Sequence, residues 1–210
     1  MFGLLALMLM ATIFNVNQGV ALSPGMLIYV SLFVAVFPVV AIMTDEPDPD
    51  LMLREPRDPK VPVFNRTTGI RWITVGLLLG FCALIPLVWG PDEPQIDAPS
   101  VSMTMAYAVT ALATVGIGVV SRRDPGPFWQ GPVFPFFMWL SIPAVVTWLG
   151  VELPLLQRWL DTTSLTGSQW LAVIALSFGV PVVVELEKTY RRHRVRTGEQ
   201  KARPSVEDRS

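Results

Sequence analysis

Six long apolar stretches occupy most of this 210-residue chain, and none carries a charged residue in its interior. An α-helix needs roughly 20 apolar residues to cross about 30 Å of hydrocarbon, because each residue adds about 1.5 Å. Only 16% of the residues are charged, whereas soluble domains carry about 25%. The pattern therefore predicts an all-α membrane protein, a polytopic bundle of transmembrane helices.

The apolar stretches predict six spans, at about residues 1–18, 23–43, 70–90, 101–121, 132–151 and 169–185. The first is short, since residues 1–16 cover only about 24 Å. No Lys or Arg precedes its apolar core, which favours a truncated span over a signal peptide. We expect a six-helix membrane domain over residues 1–187, with a loop at 45–69, followed by a basic and disordered tail at 188–210.

Positive charges predict the orientation of these spans. Lys and Arg concentrate in the 45–69 loop, in the short loop after span four and in the tail, whereas the other three connections contain only Arg158 against five acidic residues. The positive-inside rule then places both termini in the cytoplasm, which requires an even number of crossings. Six spans satisfy this condition. The predicted protein is multi-pass and lies in the plasma (inner) membrane.

Residues 22–60 contain a proline-rich acidic string that follows an apolar helix. It resembles the region around the sixth membrane helix of type-II cation-transporting P-type ATPases, the calcium and sodium/potassium pump group. In that family a helix with an Asn-x-x-Thr-Asp-x-x-Pro element runs into a loop that ends in Met-x-x-x-Pro-Arg. The positions that keep this spacing are Pro24, Pro38, Pro47, Asp48, Asp50, Met52, Pro56, Arg57 and Pro59.

The resemblance continues along the chain. The sequence MTMA at 103–106 opens span four, as it opens the family's eighth helix, and residues 153–171 look like the connection between the last two helices. Pro181 and Glu187 match the proline and glutamate of the final helix. The chain thus resembles the last six of the family's ten membrane helices, with the first of them cut to about half.

The resemblance also implies where the family's ion ligands would fall. The sixth-helix Asn, Thr and Asp, the eighth-helix acid and the fifth-helix Asn and Glu fall on or near Ser31, Val34, Ala35, Thr114, Gly3 and Ala6. Ca²⁺ takes about six to eight oxygen ligands, several of them carboxylates, and an uncompensated buried cation is costly. We therefore predict no metal site and a loss of high-affinity cation binding.

The catalytic parts of the pump family are not found in these residues. The chain contains no Asp-Lys-Thr-Gly-Thr phosphorylation motif, and six spans leave no room for nucleotide-binding and actuator domains. Phosphoryl transfer needs positioned phosphates, a metal and a group that orients the nucleophile. We predict that the chain alone is not an enzyme and has no catalytic residue and no cofactor. The single histidine, His193, and the single cysteine, Cys82, form no metal cluster.

The acidic, proline-rich loop has two interpretations. It serves as a plain solvated connector, or it docks a separate polypeptide, because the matching loop of the pump family touches the phosphorylation domain. The second interpretation makes Asp48, Asp50, Arg54 and Arg57 a candidate docking loop for a P-type ATPase catalytic chain or another membrane protein.

The basic tail predicts contact with the membrane surface. Anionic lipid attracts basic residues next to a span by about 1 kcal/mol each, and no nucleic acid is needed to explain the charges. The predicted lipid-binding residues are Lys188, Arg191, Arg192, Arg194 and Arg196.

Small and hydroxyl-bearing residues within the spans have structural explanations. Ala111, Ala113, Gly116 and Gly118 form a small-residue face suited to close helix packing. Hydroxyls in membrane helices commonly bond a carbonyl of their own helix. The alternative, a polar pathway, would use Ser31, Thr110, Thr114, Ser141 and Ser177.

Three functions remain open from the sequence. The first is a scaffold or accessory protein, a degenerate remnant of the pump's membrane domain. The second is the C-terminal part of a split pump that assembles with a catalytic chain, which the half-length first span favours. The third is a small channel or transporter that uses hydroxyl-lined paths.

Overall fold

A computed structural model describes residues 2–44, 66–92, 98–121 and 134–202 of the protein. Within these ranges all regular structure is helical, which confirms the all-α prediction. A π-helical turn, Val30–Val34, connects the helices Pro24–Tyr29 and Val36–Met43. In chain order the helices are α1 (Phe2–Ile13), α2 (Pro24–Tyr29), α3 (Val36–Met43), α4 (Arg66–Trp89), α5 (Val101–Ser121), α6 (Phe134–Glu152), α7 (Pro154–Leu160) and α8 (Gly167–Ala202).

Four helical segments of the described chain are long and apolar enough to cross a membrane, namely Pro24–Met43, Thr68–Trp89, Val101–Ser121 and Gly167–Tyr190. A fifth results if α6 and α7, which meet at 86°, count as one broken span. Helix α1 has 12 residues, about 18 Å of rise, which is short of the hydrocarbon thickness. The protein is therefore an integral, multi-pass membrane protein, and the sixth span stays a prediction.

The first predicted span is too long by about one turn. Helix α1 ends at Ile13, and residues Asn15, Asn17 and Gln18 take left-handed backbone conformations with φ between 48° and 54°. A short 3₁₀ turn, Val16–Gly19, occupies the rest of the predicted span. Asparagine tolerates this conformation better than most residues, so the polar end of the apolar run forms the turn that leads to α2.

Helix α8 continues beyond the last predicted span, and the tail that was expected to be disordered from residue 188 is helical as far as Ala202. Helix α8 continues without a break to that residue. The segment beyond the membrane stretch is rich in Glu, Lys, Arg and Gln, which have high helix propensity, and it contains no proline before Pro204. Residues 203–210, like most of the predicted 45–69 loop, lie outside the described chain; α4 already begins at Arg66.

Helix α5 forms the centre of the bundle and packs against α4, α6 and α8. Every residue at positions 102–111 is buried. Farther along, a Cβ atom at Gly116 would lie 2.9 Å from the Pro181 ring, and one at Gly118 would lie 2.6 Å from Cβ of Pro38. The helices approach so closely only because these residues lack side chains, which confirms the predicted small-residue packing face.

The span formed by α2 and α3 is interrupted at its middle. The Ala35 amide donates to the Val30 carbonyl at 2.9 Å, a bond that skips five residues instead of four. Pro38, which has no N–H, follows one turn later. The wide turn and the proline, each of which weakens the regular hydrogen-bond ladder of a helix, lie next to the positions that the resemblance assigns to ion ligands.

The bundle has two ends, each named after one of its residues. The Arg71 end is where α4 begins, α5 ends and α8 carries Glu187. The Asp92 end is where α4 ends, α5 begins and α7 lies. At the Asp92 end the Ser23 hydroxyl donates to the Leu160 carbonyl at 2.8 Å, which joins the start of α2 to the end of α7.

Candidate functional site

A cavity of about 400 Å³ lies among the helices toward the Arg71 end. Ala35 and Thr114, two of the predicted ligand positions, both line it, and so does Gly3 from α1. Ser31 is half-buried and Val34 is fully buried in the main core, and neither lines the cavity. The structure thus brings together three of the six positions that the resemblance points to.

The cavity walls are mostly apolar. Hydroxyls come from Thr114 and from Ser121, and Arg71 contributes the charged group. The Thr114 hydroxyl donates to the Thr110 carbonyl at 2.7 Å, within its own helix. The remaining wall is built largely by hydrocarbon side chains: Phe2, Leu4, Val30, Val75, Leu79, Ile117 and Val184.

Other hydroxyls proposed for a polar pathway also bond their own helices. Thr110 donates to the Ala106 carbonyl at 2.8 Å, Ser177 to the Val173 carbonyl at 2.7 Å and Ser141 to the Met138 carbonyl at 2.7 Å. These bonds satisfy the hydroxyl donors without any ligand, as expected for Ser and Thr in apolar helices. The structural explanation of these residues is confirmed for the four hydroxyls with such bonds.

Acidic groups do not line the cavity. Across residues 2–44, 66–92, 98–121 and 134–202, no three His, Cys, Asp or Glu side chains come close enough to hold a metal together. Dehydrating a divalent cation needs several charged or strongly polar oxygens. An apolar wall with two hydroxyls and a cationic side chain suits a hydrocarbon ligand better than a metal ion.

The Arg71 guanidinium marks the end of the cavity nearer the bundle surface. Its Nε lies 3.9 Å from Oε1 of Glu187 on α8, and the two side chains are 21% and 41% exposed. The neighbouring Trp72 ring is about half exposed, and its centroid lies 6.2 Å from that of Phe2. A Trp and an Arg at this depth are typical of a membrane–water interface.

Lys188 is placed differently from the prediction. It was expected to bind anionic lipid, yet its side chain is completely buried, and its ammonium group donates to the Val120 carbonyl. The same group lies 3.8 Å from Oε2 of Glu185. Val120 belongs to the last turn of α5, where carbonyls lack partners within the helix and a cation is favourable.

The sequence contains a signal that would have located Lys188 inside the bundle. Val173, Val180 and Val184 are buried on α8, and Lys188 follows Val184 by four residues, which places it on the same helical face. The many basic residues that follow Lys188 favoured the prediction of an exposed tail instead. The side chains of Arg191, Arg192, Arg194 and Arg196 lie outside the described residues, so their contact with lipid stays a prediction.

Asp92 has a role that sequence reasoning missed. Its carboxylate accepts hydrogen bonds of 2.7 Å from the amides of both Val101 and Ser102, and so caps α5 from outside the helix. Partial burial raises the pKa of this carboxyl, but the bonds from Ser102 and Val101 outweigh that effect and hold the pKa below its usual range. Asp92 precedes Val101 by nine positions, so no local capping pattern in the sequence indicates this role.

The candidate docking loop cannot be placed. Asp48, Asp50, Arg54 and Arg57 all lie outside the described residues.

Comparison with known proteins gives a consistent result. The family described as "Cation transporting ATPase, C-terminus" matches residues 19–190. A calcium-transporting ATPase of Bacillus subtilis (strain 168) is 26% identical over 160 residues, which are 74% of this chain and 18% of that protein. The endoplasmic reticulum calcium ATPase srcA of Aspergillus fumigatus is 24% identical over 202 residues, 80% of this chain and 21% of that protein. The chain therefore spans about a fifth of the length of these relatives.

Proposed function

The chain belongs to the family of cation-transporting ATPase C-termini, the membrane domain of P-type pumps, and we propose that it acts as a helical scaffold or accessory protein that binds no cation itself. In this proposal the chain keeps the shape of the pump's membrane domain but neither hydrolyses ATP nor moves an ion alone. Its role is to bind a pump or another protein within the membrane.

The composition of the cavity is the observation that carries this proposal. Ala35 and Thr114 stand where the resemblance expects ligands, and the wall around them is hydrocarbon with no carboxylate. The charged group in the wall is the Arg71 guanidinium, which is paired with Glu187 at 3.9 Å and offers no lone pair to a metal ion. A site of this chemistry offers no compensation for the dehydration of Ca²⁺.

The proposed topology has six spans with both termini in the cytoplasm of a plasma (inner) membrane. The basic loop and tail support this orientation, which places the Arg71 end on the cytoplasmic side. Single-cysteine accessibility mapping in vesicles tests it: residues at the Asp92 end should react from the outside and those at the Arg71 end from the inside.

A chimera tests the scaffold proposal. Residues 1–190 replace the corresponding helices of the Bacillus subtilis relative, and Ca²⁺-stimulated ATP hydrolysis is measured in membranes. We expect a folded, membrane-inserted chimera without Ca²⁺ stimulation, because the ligand positions lack acids. The control is the unaltered relative carried through the same procedure. Ca²⁺-stimulated hydrolysis by a chimera that keeps the native Ser31, Val34 and Ala35 would refute the proposal.

A second candidate function is the C-terminal part of a split pump that assembles with a separate catalytic chain. Its support is that the chain spans about a fifth of the length of the relatives, so the remaining parts of such a pump would have to come from elsewhere. In this case the loop with Asp48, Asp50, Arg54 and Arg57 would contact the catalytic chain.

Affinity purification of the tagged protein from its native membranes separates the two candidates. Co-elution of a chain that contains an Asp-Lys-Thr-Gly-Thr motif, lost when Asp48 and Asp50 are both changed to Asn, would favour the split pump. A neighbouring reading frame that ends in the stalk of the fifth helix would favour it as well. Elution of a complete pump, or of no such chain, favours the accessory role.

A further inference from the structure

We propose that α7 is an interfacial helix, which lies in the plane of the membrane surface at the Asp92 end. Leu155 and Trp159 insert among the phospholipid headgroups, and the Arg158 guanidinium lies at their phosphates. The partner of this face of α7 is the phospholipid surface itself, whether the chain is a scaffold or part of a pump.

The direction of α7 follows from that of α6. Helix α6 has 19 residues, about 28 Å of rise, and so by itself nearly covers the roughly 30 Å of hydrocarbon in a bilayer. Helix α7 leaves it at 86°. A helix at a right angle to one that crosses the membrane runs parallel to the membrane surface. The pair is therefore one span followed by a surface helix.

Hydrogen bonds to the end of α6 fix this bend. The last carbonyls of a helix have no partner within the helix. The side-chain amide of Gln157 donates to the Val151 carbonyl at 2.6 Å. The Thr162 hydroxyl donates to the Gly150 carbonyl at 2.7 Å. Pro154 begins α7, where its missing N–H removes no helical bond. The chain itself thus satisfies the end of α6 and holds α7 in one orientation.

The two faces of α7 have different surroundings. Leu160 is buried in the main core, and Leu156 packs against that core. Leu155 and Trp159 are 68% and 77% exposed, and their spacing of four residues places them on one face of the helix. Exposure of such side chains to water costs about 25 cal/mol for each Å² of apolar surface. Contact with lipid removes this cost.

Other tryptophans indicate the level of the membrane surface independently of α7. Trp89 is the last residue of α4 and is 82% exposed, and Trp148 lies one turn before the end of α6 and is 52% exposed. Tryptophan is enriched at membrane–water interfaces, where its ring is buried and its N–H is hydrated. Both residues belong to the Asp92 end. Helix α7 begins two positions after α6 ends, so Trp159 joins the same aromatic belt.

Arg158 supplies a charge suited to the headgroups. It is exposed on α7 between Leu155 and Trp159. A guanidinium binds phosphate oxygens in pairs, and a long arginine stem can lie along apolar surface while the charged group stays in the polar layer. A face with two large apolar side chains and one cation is typical of a helix that lies in the membrane interface.

Spin labelling of the full chain in phospholipid vesicles tests the proposal. Labels are attached at Leu155→Cys and Trp159→Cys in a Cys82→Ala background, since Cys82 is the single cysteine. We expect both labels to collide more often with oxygen, which concentrates in lipid, than with a water-soluble nickel complex. Ser164→Cys, at an exposed position after α7, is the control and should show the reverse order. Higher nickel accessibility at both α7 positions, or exclusion of both reagents by a protein cover, would overturn the proposal.

A second pair of variants tests the contact with phosphate. In the protein labelled at position 155, Arg158→Glu should shift the label toward water, because like charges repel the carboxylate from the phosphates. Arg158→Lys keeps the positive charge and should leave the depth of the label unchanged. An unchanged depth in Arg158→Glu would refute the contact with phosphate.

Tryptophan fluorescence keeps the proposal testable if a cysteine variant fails to fold. The unaltered protein and Trp159→Phe are placed in vesicles whose lipids carry bromine either near the headgroup or at the end of the acyl chain. We expect Trp159→Phe to lose part of the emission that the shallow bromine quenches and little of the emission that the deep bromine quenches. Equal quenching of the two proteins by both lipids would refute insertion of Trp159.

Discussion

The two halves of α5 differ in how the protein surrounds them. Residues 102–111 are buried on every side, while Thr114, Ile117 and Ser121 in the second half face the cavity. Both halves consist of similar small and aliphatic residues, so composition does not explain the contrast. The first half packs directly against α6 and α8, with Gly150 beside Tyr107 and Ser177 beside Val109. Beside the second half, Gly3 and Ala35 carry little or no side chain where they line the cavity.

The contacts that stabilise the fold surround the first half of α5, whereas the positions that would bind an ion lie beside the second half. The first half of α5, residues 102–111, is stabilised by close contacts between helices and by hydrogen bonds to loops. The resemblance to the pump family includes these residues. Ala35 and Thr114 line the cavity beside the second half, at positions where the resemblance expects the ion ligands of the pump family. In the function proposed above, the chain keeps the membrane domain of a pump while the ligand positions lack carboxylates.

The substitution with the largest expected effect tests whether the second half of α5 is loosely packed throughout or only at the cavity. Gly118→Ala places a Cβ 2.6 Å from Cβ of Pro38, and we expect a loss of about 1–3 kcal/mol from overpacking. Gly179→Ala is the control, because no atom outside its own stretch of helix lies within 4 Å of the added Cβ, and alanine should stabilise the helix by about 0.5–1 kcal/mol. Unfolding in lipid nanodiscs followed by circular dichroism measures both. Equal effects would mean that the cavity reflects loose packing throughout this end.

The next substitution tests the cap at the start of the first half of α5. Asp92→Ala removes the acceptor for the Val101 and Ser102 amides, and we expect a loss of about 0.5–2 kcal/mol at neutral pH. Because the folded-state pKa of Asp92 is lowered, its contribution is present above the unfolded pKa and disappears as the pH falls through the folded value. The difference between wild type and variant should shrink in acid. Asp161→Asn, at an exposed position, should show neither effect; a pH-independent difference for Asp92→Ala would contradict the assignment.

The smallest effect concerns a hydrogen bond between two segments. The Thr104 hydroxyl accepts from the Thr163 amide at 3.0 Å, so Thr104→Val should leave that amide unpaired and lower stability by about 1 kcal/mol. Thr110→Val is the matched change on the same helix, since that hydroxyl bonds only a carbonyl of its own helix. We expect the second variant to unfold like wild type. Hydrogen exchange of the Thr163 amide should accelerate in the first variant alone.

The sequence predicted the helices better than their ends. Apolar length identified α4, α5 and α6 because a membrane helix must satisfy its backbone internally and needs a fixed number of apolar residues. The early end of α1 depends on the left-handed conformations of Asn15, Asn17 and Gln18. The burial of Lys188 depends on a carbonyl from another helix. Such tertiary partners leave little trace in a single sequence.

The sequence predicted only some of the residues that line the cavity. The resemblance identified Ala35 and Thr114 as related positions, and the structure places both on one wall. It gave no reason to expect Arg71 or Trp72 there, because these residues reach the cavity through the packing of α1 against α4. Ser31 and Val34, identified by the same resemblance, do not line it.

Direct binding of Ca²⁺ tests the central claim, that these helices keep a pump's membrane fold without a cation site. Equilibrium binding of radioactive Ca²⁺ is measured on the purified protein in nanodiscs, with Ser31→Asn/Ala35→Asp as a comparison. We predict no saturable binding by the native chain up to about 10 µM, the weak limit of protein sensor sites. Saturable micromolar binding of one Ca²⁺ per native chain, lost in Thr114→Val, would contradict the account.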